Sequence, residues 1–131
     1  ELYLLEDKVI DTKMSLIISG LENKEFVKEF RPLEITTIVD NIISNAEKAE
    51  SKTLKIFFSE YKNNLVIIFE DDGNGIPEKN LDKIYDLGFT TTNGSGIGLF
   101  QVNDIVKNSL KGEIDIKSKV KEGTTIKITL K

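Results

Sequence analysis

The stretch Leu65-Val66-Ile67-Ile68-Phe69-Glu70-Asp71-Asp72-Gly73-Asn74-Gly75 runs from continuous apolar sequence straight into paired carboxylates and a glycine-rich loop. The apolar part predicts a strand covered on both faces. An acceptor-only carboxylate at the end of a buried strand is costly unless something donates to it. The exocyclic amine of adenine is such a donor, whereas guanine presents a carbonyl oxygen at the equivalent place and is repelled. Alternation along the strand puts Asp71 and Asp72 on opposite faces, so only one of them can serve. The plainer alternative is a tight Asp-Gly turn with solvated carboxylates.

Working outward, Leu54-Lys55-Ile56-Phe57-Phe58 predicts a neighbouring strand, with Asn63-Asn64 as the hairpin turn between the two. From Leu33 to Glu50, residues Ile35, Ile38, Val39, Ile42, Ala46 and Ala49 recur at helical spacing, and Pro32 suits the start of that helix. At about 100° per residue, Asn41, Asn45 and Lys48 share one stripe at the edge of the apolar face. Asn is a mediocre helix former, so this pair at i and i+4 invites an explanation. An amide oxygen is a hard ligand acceptable to Mg²⁺, and Lys48 one turn on is placed to meet a phosphate. The alternative is a polar boundary with solvent.

Met14 to Ser19 predicts a further strand, Ile97 to Lys107 a second helix and Glu78 to Tyr85 a short one, while the first ten residues suit another helix. Ile114 and Ile116, then Ile126, Ile128 and Leu130, alternate with polar residues as half-buried strands joined around Glu122-Gly123. No repeat or linker interrupts the pattern. The economical fold class is α+β, a single layered domain over residues 1–131 with a mixed, mostly antiparallel sheet.

Composition narrows the chemistry. The chain has 131 residues with 39% apolar and 31% charged, enough for one folded core. Lys plus Arg is 18 against 22 for Asp plus Glu, a net charge of −4 that advertises no nucleic-acid grip. The absence of cysteine removes disulfides, thiol catalysis and thiolate metal sites. The absence of histidine removes an imidazole base, ligand or phosphoacceptor from within the chain. No stretch approaches the roughly 20 apolar residues of a membrane span, so the chain is expected to be soluble. It begins at Glu1 and its only methionine is Met14, which reads as a fragment or excised domain.

The glycines cluster too: Gly73, Gly75, Gly88, Gly94, Gly96 and Gly98 are six of nine. Gly94-Ser95-Gly96-Ile97-Gly98-Leu99 leads into the second helix, where free backbone N–H groups favour phosphate. A P-loop is excluded because Leu99 follows Gly98, and the dinucleotide fingerprint lacks its upstream strand. Alone, the run is weak evidence for phosphate, and a flexible loop is the plainer reading.

Together these segments resemble the GHKL or Bergerat-fold nucleotide-binding proteins, which include the DNA gyrase B subunit, heat-shock ATPase chaperones, mismatch-repair ATPases and sensor histidine kinases. The match covers roughly Phe30 to Leu130. Asn41 to Lys48 looks like the N box, Asp71 to Gly75 the G1 box, and Tyr85-Asp86-Leu87-Gly88-Phe89-Thr90-Thr91 the F box. Gly94 to Leu99 resembles the G2 box and Gly123-Thr124-Thr125 the final glycine-threonine box. Each is weak alone, but their order and spacing are those of the family.

The resemblance implies a two-layer α/β sandwich with about five strands covered on one face by about three helices. It implies that Asn45 ligates Mg²⁺, Lys48 contacts phosphate, and Asp71 takes the adenine amine, with Thr124 supporting a water between base and Asp71. Gly73 and Gly75 would let the base lie close to the backbone, and Gly94, Gly96 and Gly98 would shape the phosphate loop. Ile76, Tyr85, Thr90, Thr91, Ser95, Ile97 and Leu99 complete the ATP-contacting set, with a short lid from about Asn80 to Asn93.

Hydrolysing members and anti-sigma-factor serine kinases resemble one another in carrying Glu four residues before the Mg²⁺-binding Asn. Here that position is Asn41, an amide that cannot take a proton, which points to the histidine-kinase branch with its imidazole nucleophile. The implied role is the catalytic, ATP-binding domain of a sensor histidine kinase. Its partner would be the protein's own dimerisation and histidine-phosphoacceptor domain, dimeric in the whole protein and docked through Tyr85 and Phe89, with a response regulator downstream. A cytoplasmic setting is implied, without nucleic-acid binding or direct membrane contact by this domain. Arg31 is the only arginine, so the lid has none. The rivals are a serine/threonine kinase of the anti-sigma type, a nucleotide-binding regulatory module without transfer, and a folded domain with no ligand.

Overall fold

A computed structural model describes residues 14–20, 32–83 and 98–130. Helical periodicity around Ile38 becomes α1 (Pro32–Lys48), which turns Ile35, Ile38, Val39, Ile42, Ile43 and Ala46 into the core. Each buried Ile or Val among them contributes about 1.5–3 kcal/mol of transfer free energy. The strands are β1 (Ser15–Ser19), β2 (Thr53–Tyr61), β3 (Asn64–Asp71), β4 (Glu113–Lys119) and β5 (Gly123–Leu130), and α2 (Gly98–Asp104) runs on into a wider π turn at Ile105–Ser109.

The strands form one sheet in the order β1-β2-β3-β5-β4. Only β1 and β2 are parallel, and every other pair is antiparallel, as expected of a mixed sheet. Alternation gives the sheet one apolar face. Ile18, Ile56, Phe69, Ile126 and Ile116 stand in register across all the strands, and together with α1, Val102 and Val106 they close the interior. The domain is thus an α+β sandwich of two layers.

Three expectations shift. The apolar run of β3 was expected to be covered on both faces, yet among the described residues helices cover only one. Val66 is buried and Ile68 half-buried on the other face because β3 is the central strand, sheltered by its neighbours. The hairpin turn falls on Lys62-Asn63 rather than Asn63-Asn64, since Asn64 pairs with Tyr61 and both turn residues take positive φ (51° and 66°), the geometry of a type I′ turn. The short helix at Glu78 appears as a single 3₁₀ turn, Glu78–Asn80, continued by one more i+3 bond from the Lys83 amide to the Asn80 carbonyl. The helix expected in the first ten residues lies outside the described residues.

Candidate functional site

The apolar face of the sheet ends in polar residues. One step beyond the Phe69 row, Leu16 and Leu54 are followed in register by Asp71, Thr124 and Ser118 on β3, β5 and β4. Alternation therefore sets a carboxylate and two hydroxyls side by side on the helix-facing side of the sheet, at its margin.

The end of α1 is built to receive the loop after β3. Glu50 adopts φ 62°, and the Glu50 and Ser51 amides return to the carbonyls of Glu47 and Ala46, a Schellman motif with Glu50 in the place glycine usually holds. The adjacent Ala49 carbonyl accepts from the Asn74 amide at 2.8 Å. A Cβ at Gly73 would lie 2.7 Å from that Ala49 oxygen and 2.6 Å from the Ser51 hydroxyl. At Gly75, φ is +75° and a Cβ would meet the Lys119 carbonyl at 2.1 Å. The space denied to side chains at both glycines is thus filled by the protein's own chain, α1 on one side and the β4–β5 turn on the other.

The two carboxylates divide as alternation requires. Asp71 Oδ1 accepts from the Gly73 amide at 2.9 Å and the Thr124 amide at 3.2 Å. Burial raises its pKa above the ordinary 3.8, opposed by those two N–H donors and by the nearby Ser51 hydroxyl, which stands outside hydrogen-bonding geometry. Asp72 is exposed, and its Oδ1 accepts from the amides of Lys52 and Thr53 at 2.8 and 3.0 Å, clasping the start of β2. The Thr53 and Lys52 amides hold the Asp72 carboxyl below the ordinary 3.8. A depressed folded-state pKa gives stability that is present above 3.8 and lost as pH falls through the folded value. Asp72→Asn is therefore expected to lower the melting point slightly at pH 7 and to match the unaltered chain at the acid end, so that the acid limb flattens, as melting curves between pH 2 and 7 would read.

On α1, both hydrogens of the Asn41 amide are engaged: its Nδ2 donates to the Thr37 carbonyl at 3.0 Å and to Gln101 Oε1 of α2 at 3.2 Å. Asn45 differs. Its Nδ2 is buried without a hydrogen-bond partner, and turning the amide over would put the oxygen there instead. Lys48 is exposed one turn on. Among the described residues no three His, Cys, Asp or Glu converge as a metal site, and no helix is long and apolar enough to cross a membrane.

The structure thus brings Asp71, Gly73, Gly75, Ile76 and Thr124 together at one margin of the sheet and keeps Asn41, Asn45 and Lys48 on one stripe of α1. Leu99 packs against the core and Gly98 opens α2. Tyr85, Thr90, Thr91, Gly94, Ser95, Gly96 and Ile97 lie outside the described residues, as do Phe89 and most of the lid. Sequence reading missed Ser118 and Gln101. Carrying the alternation of Ile114 and Ile116 one step further would have put Ser118 on the inner face, whereas Gln101 gives no signal without the fold. A groove of about 610 Å³ opens on the opposite face of the sheet among Lys55, Glu70, Lys117 and Thr125. Its charges are of both signs, and the Asp71 carboxylate faces the other way.

A model of the histidine kinase-, DNA gyrase B- and HSP90-like ATPase family matches residues 31–131. A probable C4-dicarboxylate sensor kinase of Halalkalibacterium halodurans is 36% identical over 105 residues, which is 74% of this chain and 20% of the relative. The sensor protein kinase WalK of Staphylococcus aureus is 31% identical over 132 residues, 92% of this chain and 22% of the relative. The chain spans about a fifth of the length of these curated relatives. The catalytic domain of histidine kinase ThkA superposes with a TM-score of 0.80 at 22% identity, covering 98% of this chain and 85% of that one. The mycobacterial sensor histidine kinase MprB gives a TM-score of 0.80 at 18% identity, covering 98% and 93%. At such identities the structural likeness is one of fold.

Proposed function

This chain belongs to the histidine kinase-, DNA gyrase B- and HSP90-like ATPase family, and from that premise we propose that it is the ATP-binding catalytic domain of a two-component sensor histidine kinase. The Asn41 amide carries the choice of branch. Both its hydrogens are committed, to Thr37 and Gln101, and an amide there cannot take a proton from water or a hydroxyl. The acceptor must then be nucleophilic without a base from this helix, as a neutral imidazole is. This chain has no histidine, so the acceptor lies elsewhere, on a dimerisation and phosphoacceptor domain that in turn serves a response regulator.

In this reading Asp71 accepts the adenine amine, using the acceptor capacity left after Oδ1 has taken its two amides. Asn45 fits Mg²⁺, because its buried amide has an unsatisfied end and Mg²⁺ takes few protein ligands beside phosphate oxygens. The ion supplies charge neutralisation on the phosphates, and exposed Lys48 adds a second positive charge. Phosphoryl transfer asks little more of this domain than positioning.

Mixing the chain with Mg·ATP and a matching histidine-bearing helical domain should place acid-labile phosphate on that domain. Acid-stable label would instead mean a hydroxyl acceptor, and ATP binding without transfer a regulatory module. Asn45→Ala should weaken Mg²⁺-dependent ATP binding about tenfold and leave binding in chelator nearly unchanged, the loss of about one ligand interaction. Asn41→Ala should affect binding less, and titration calorimetry with and without Mg²⁺ separates the two.

A further inference from the structure

Ser118 is a hydrogen-bond hub. Its Oγ lies 2.7 Å from the Ile76 amide, 3.0 Å from the Gly123 carbonyl and 2.7 Å from Thr124 Oγ1. A hydroxyl has one hydrogen and two lone pairs, so the protons can be counted. The Ile76 N–H can only donate, and it takes one lone pair. The Gly123 carbonyl can only accept, and it takes the Ser118 hydrogen. The remaining contact is then made by the Thr124 hydroxyl donating into the second lone pair of Ser118.

The consequence falls on the neighbouring strand. With its hydrogen given to Ser118 and its amide given to Asp71, Thr124 has only lone pairs left to offer. Asp71, its direct cross-strand partner, is likewise an acceptor. Thr124 is only 9% exposed, so no bulk water readily replaces a missing donor there.

We infer that Ser118 is a positioning residue for base recognition: by holding the Thr124 hydrogen it makes the Asp71–Thr124 pair an all-acceptor surface that admits a 6-amino purine and rejects a 6-oxo purine. The inference rests on the nucleotide reading above and adds a residue to it. Without Ser118 the Thr124 hydrogen is released. It then turns either to a carbonyl on the ligand, improving a 6-oxo purine, or to Asp71, occupying the acceptor the amine needs. Both routes lower the same ratio.

The test is calorimetric titration with Mg·ATP and Mg·ITP, which differ at the purine 6-position. The unaltered chain should prefer ATP, and Ser118→Ala should cut that preference about tenfold, the scale of one hydrogen bond. Ser118→Thr keeps a hydroxyl on a strand that suits β-branching and should restore the preference. Thr124→Val has no hydrogen to release, so adding Ser118→Ala to it should leave the ratio unchanged. A merely structural role for Ser118 would instead weaken both nucleotides equally. That result, or a fall in the ratio from Ser118→Ala as large in the Thr124→Val background as in the unaltered chain, overturns the inference. ATP binding with no preference over ITP overturns it while the nucleotide reading stands. No ATP binding by the unaltered chain overturns both.

Discussion

Asp71→Asn is expected to lower the affinity for Mg·ATP by about a hundredfold without lowering the melting temperature at pH 7. The two halves of that result have separate causes. A hydrogen bond to an ionised group is worth about 1.5–3 kcal/mol, or roughly ten- to 150-fold in binding, and an amide turned toward the adenine amine sets donor against donor. The fold keeps what it needs, because an Asn oxygen can still accept from the Gly73 and Thr124 amides as Asp71 Oδ1 does. Stability follows from the direction of the pKa shift. Burial raises the Asp71 pKa above 3.8, so the folded state disfavours the charge; its contribution to stability is full below 3.8 and lost as pH rises through the raised value. At pH 7 a neutral isostere escapes that penalty. Calorimetric binding and thermal melting of the same preparation test both halves. Asp72→Asn is the control, since the Asp72 carboxylate is turned to the amides of Lys52 and Thr53, and comparable losses of ATP affinity from both substitutions would sink the division of labour between them.

Much of this arrangement is legible in sequence because it follows from period. Alternation assigns Phe69 and Asp71 to one face and Asp72 to the other, and the helical repeat places Asn41, Asn45 and Lys48 on one stripe. What period cannot deliver is register between strands distant in sequence. That Asp71 faces Thr124, 53 residues on, and that Ser118 stands beside Thr124, are products of sheet pairing. The reason for the glycines was likewise hidden. Glycine beside a carboxylate suggests room for a ligand, but Gly73 is required by the end of α1 and Gly75 by the β4–β5 turn, contacts that exist only once helix and sheet have packed. The fully apolar run of β3 misled for a related reason: a central strand of a single sheet is sheltered by its neighbours much as by a second layer.

The second large effect concerns Gly123, where fold and site meet. Gly123 opens β5 at φ +116°, and a Cβ there would lie 2.0 Å from the Asp71 carbonyl oxygen and 3.0 Å from Asp72 Cα. Those are backbone atoms at the end of the central strand, with no rotamer to yield. Gly123→Ala must therefore both strain its own φ, at about 1–3 kcal/mol, and push β5 away from β3. The hydrogen bonds nearest the displacement are the Thr124 amide to Asp71 and the Ser118 hydroxyl to the Gly123 carbonyl, each worth about 1 kcal/mol net. The sum, about 3–5 kcal/mol, is a large part of the 5–15 kcal/mol that holds a domain of this size folded. The expected result is a melting temperature lower by about 10 °C or more, with ATP binding lost in the same variant. Glu122→Ala, one residue away, removes only an exposed ion pair to Lys119 at 3.2 Å and should melt within about a degree or two of the unaltered chain. Gly123→Ala melting equally close would mean that the turn can relax without moving Asp71. Site and sheet would then be separable, whereas the geometry makes them one unit.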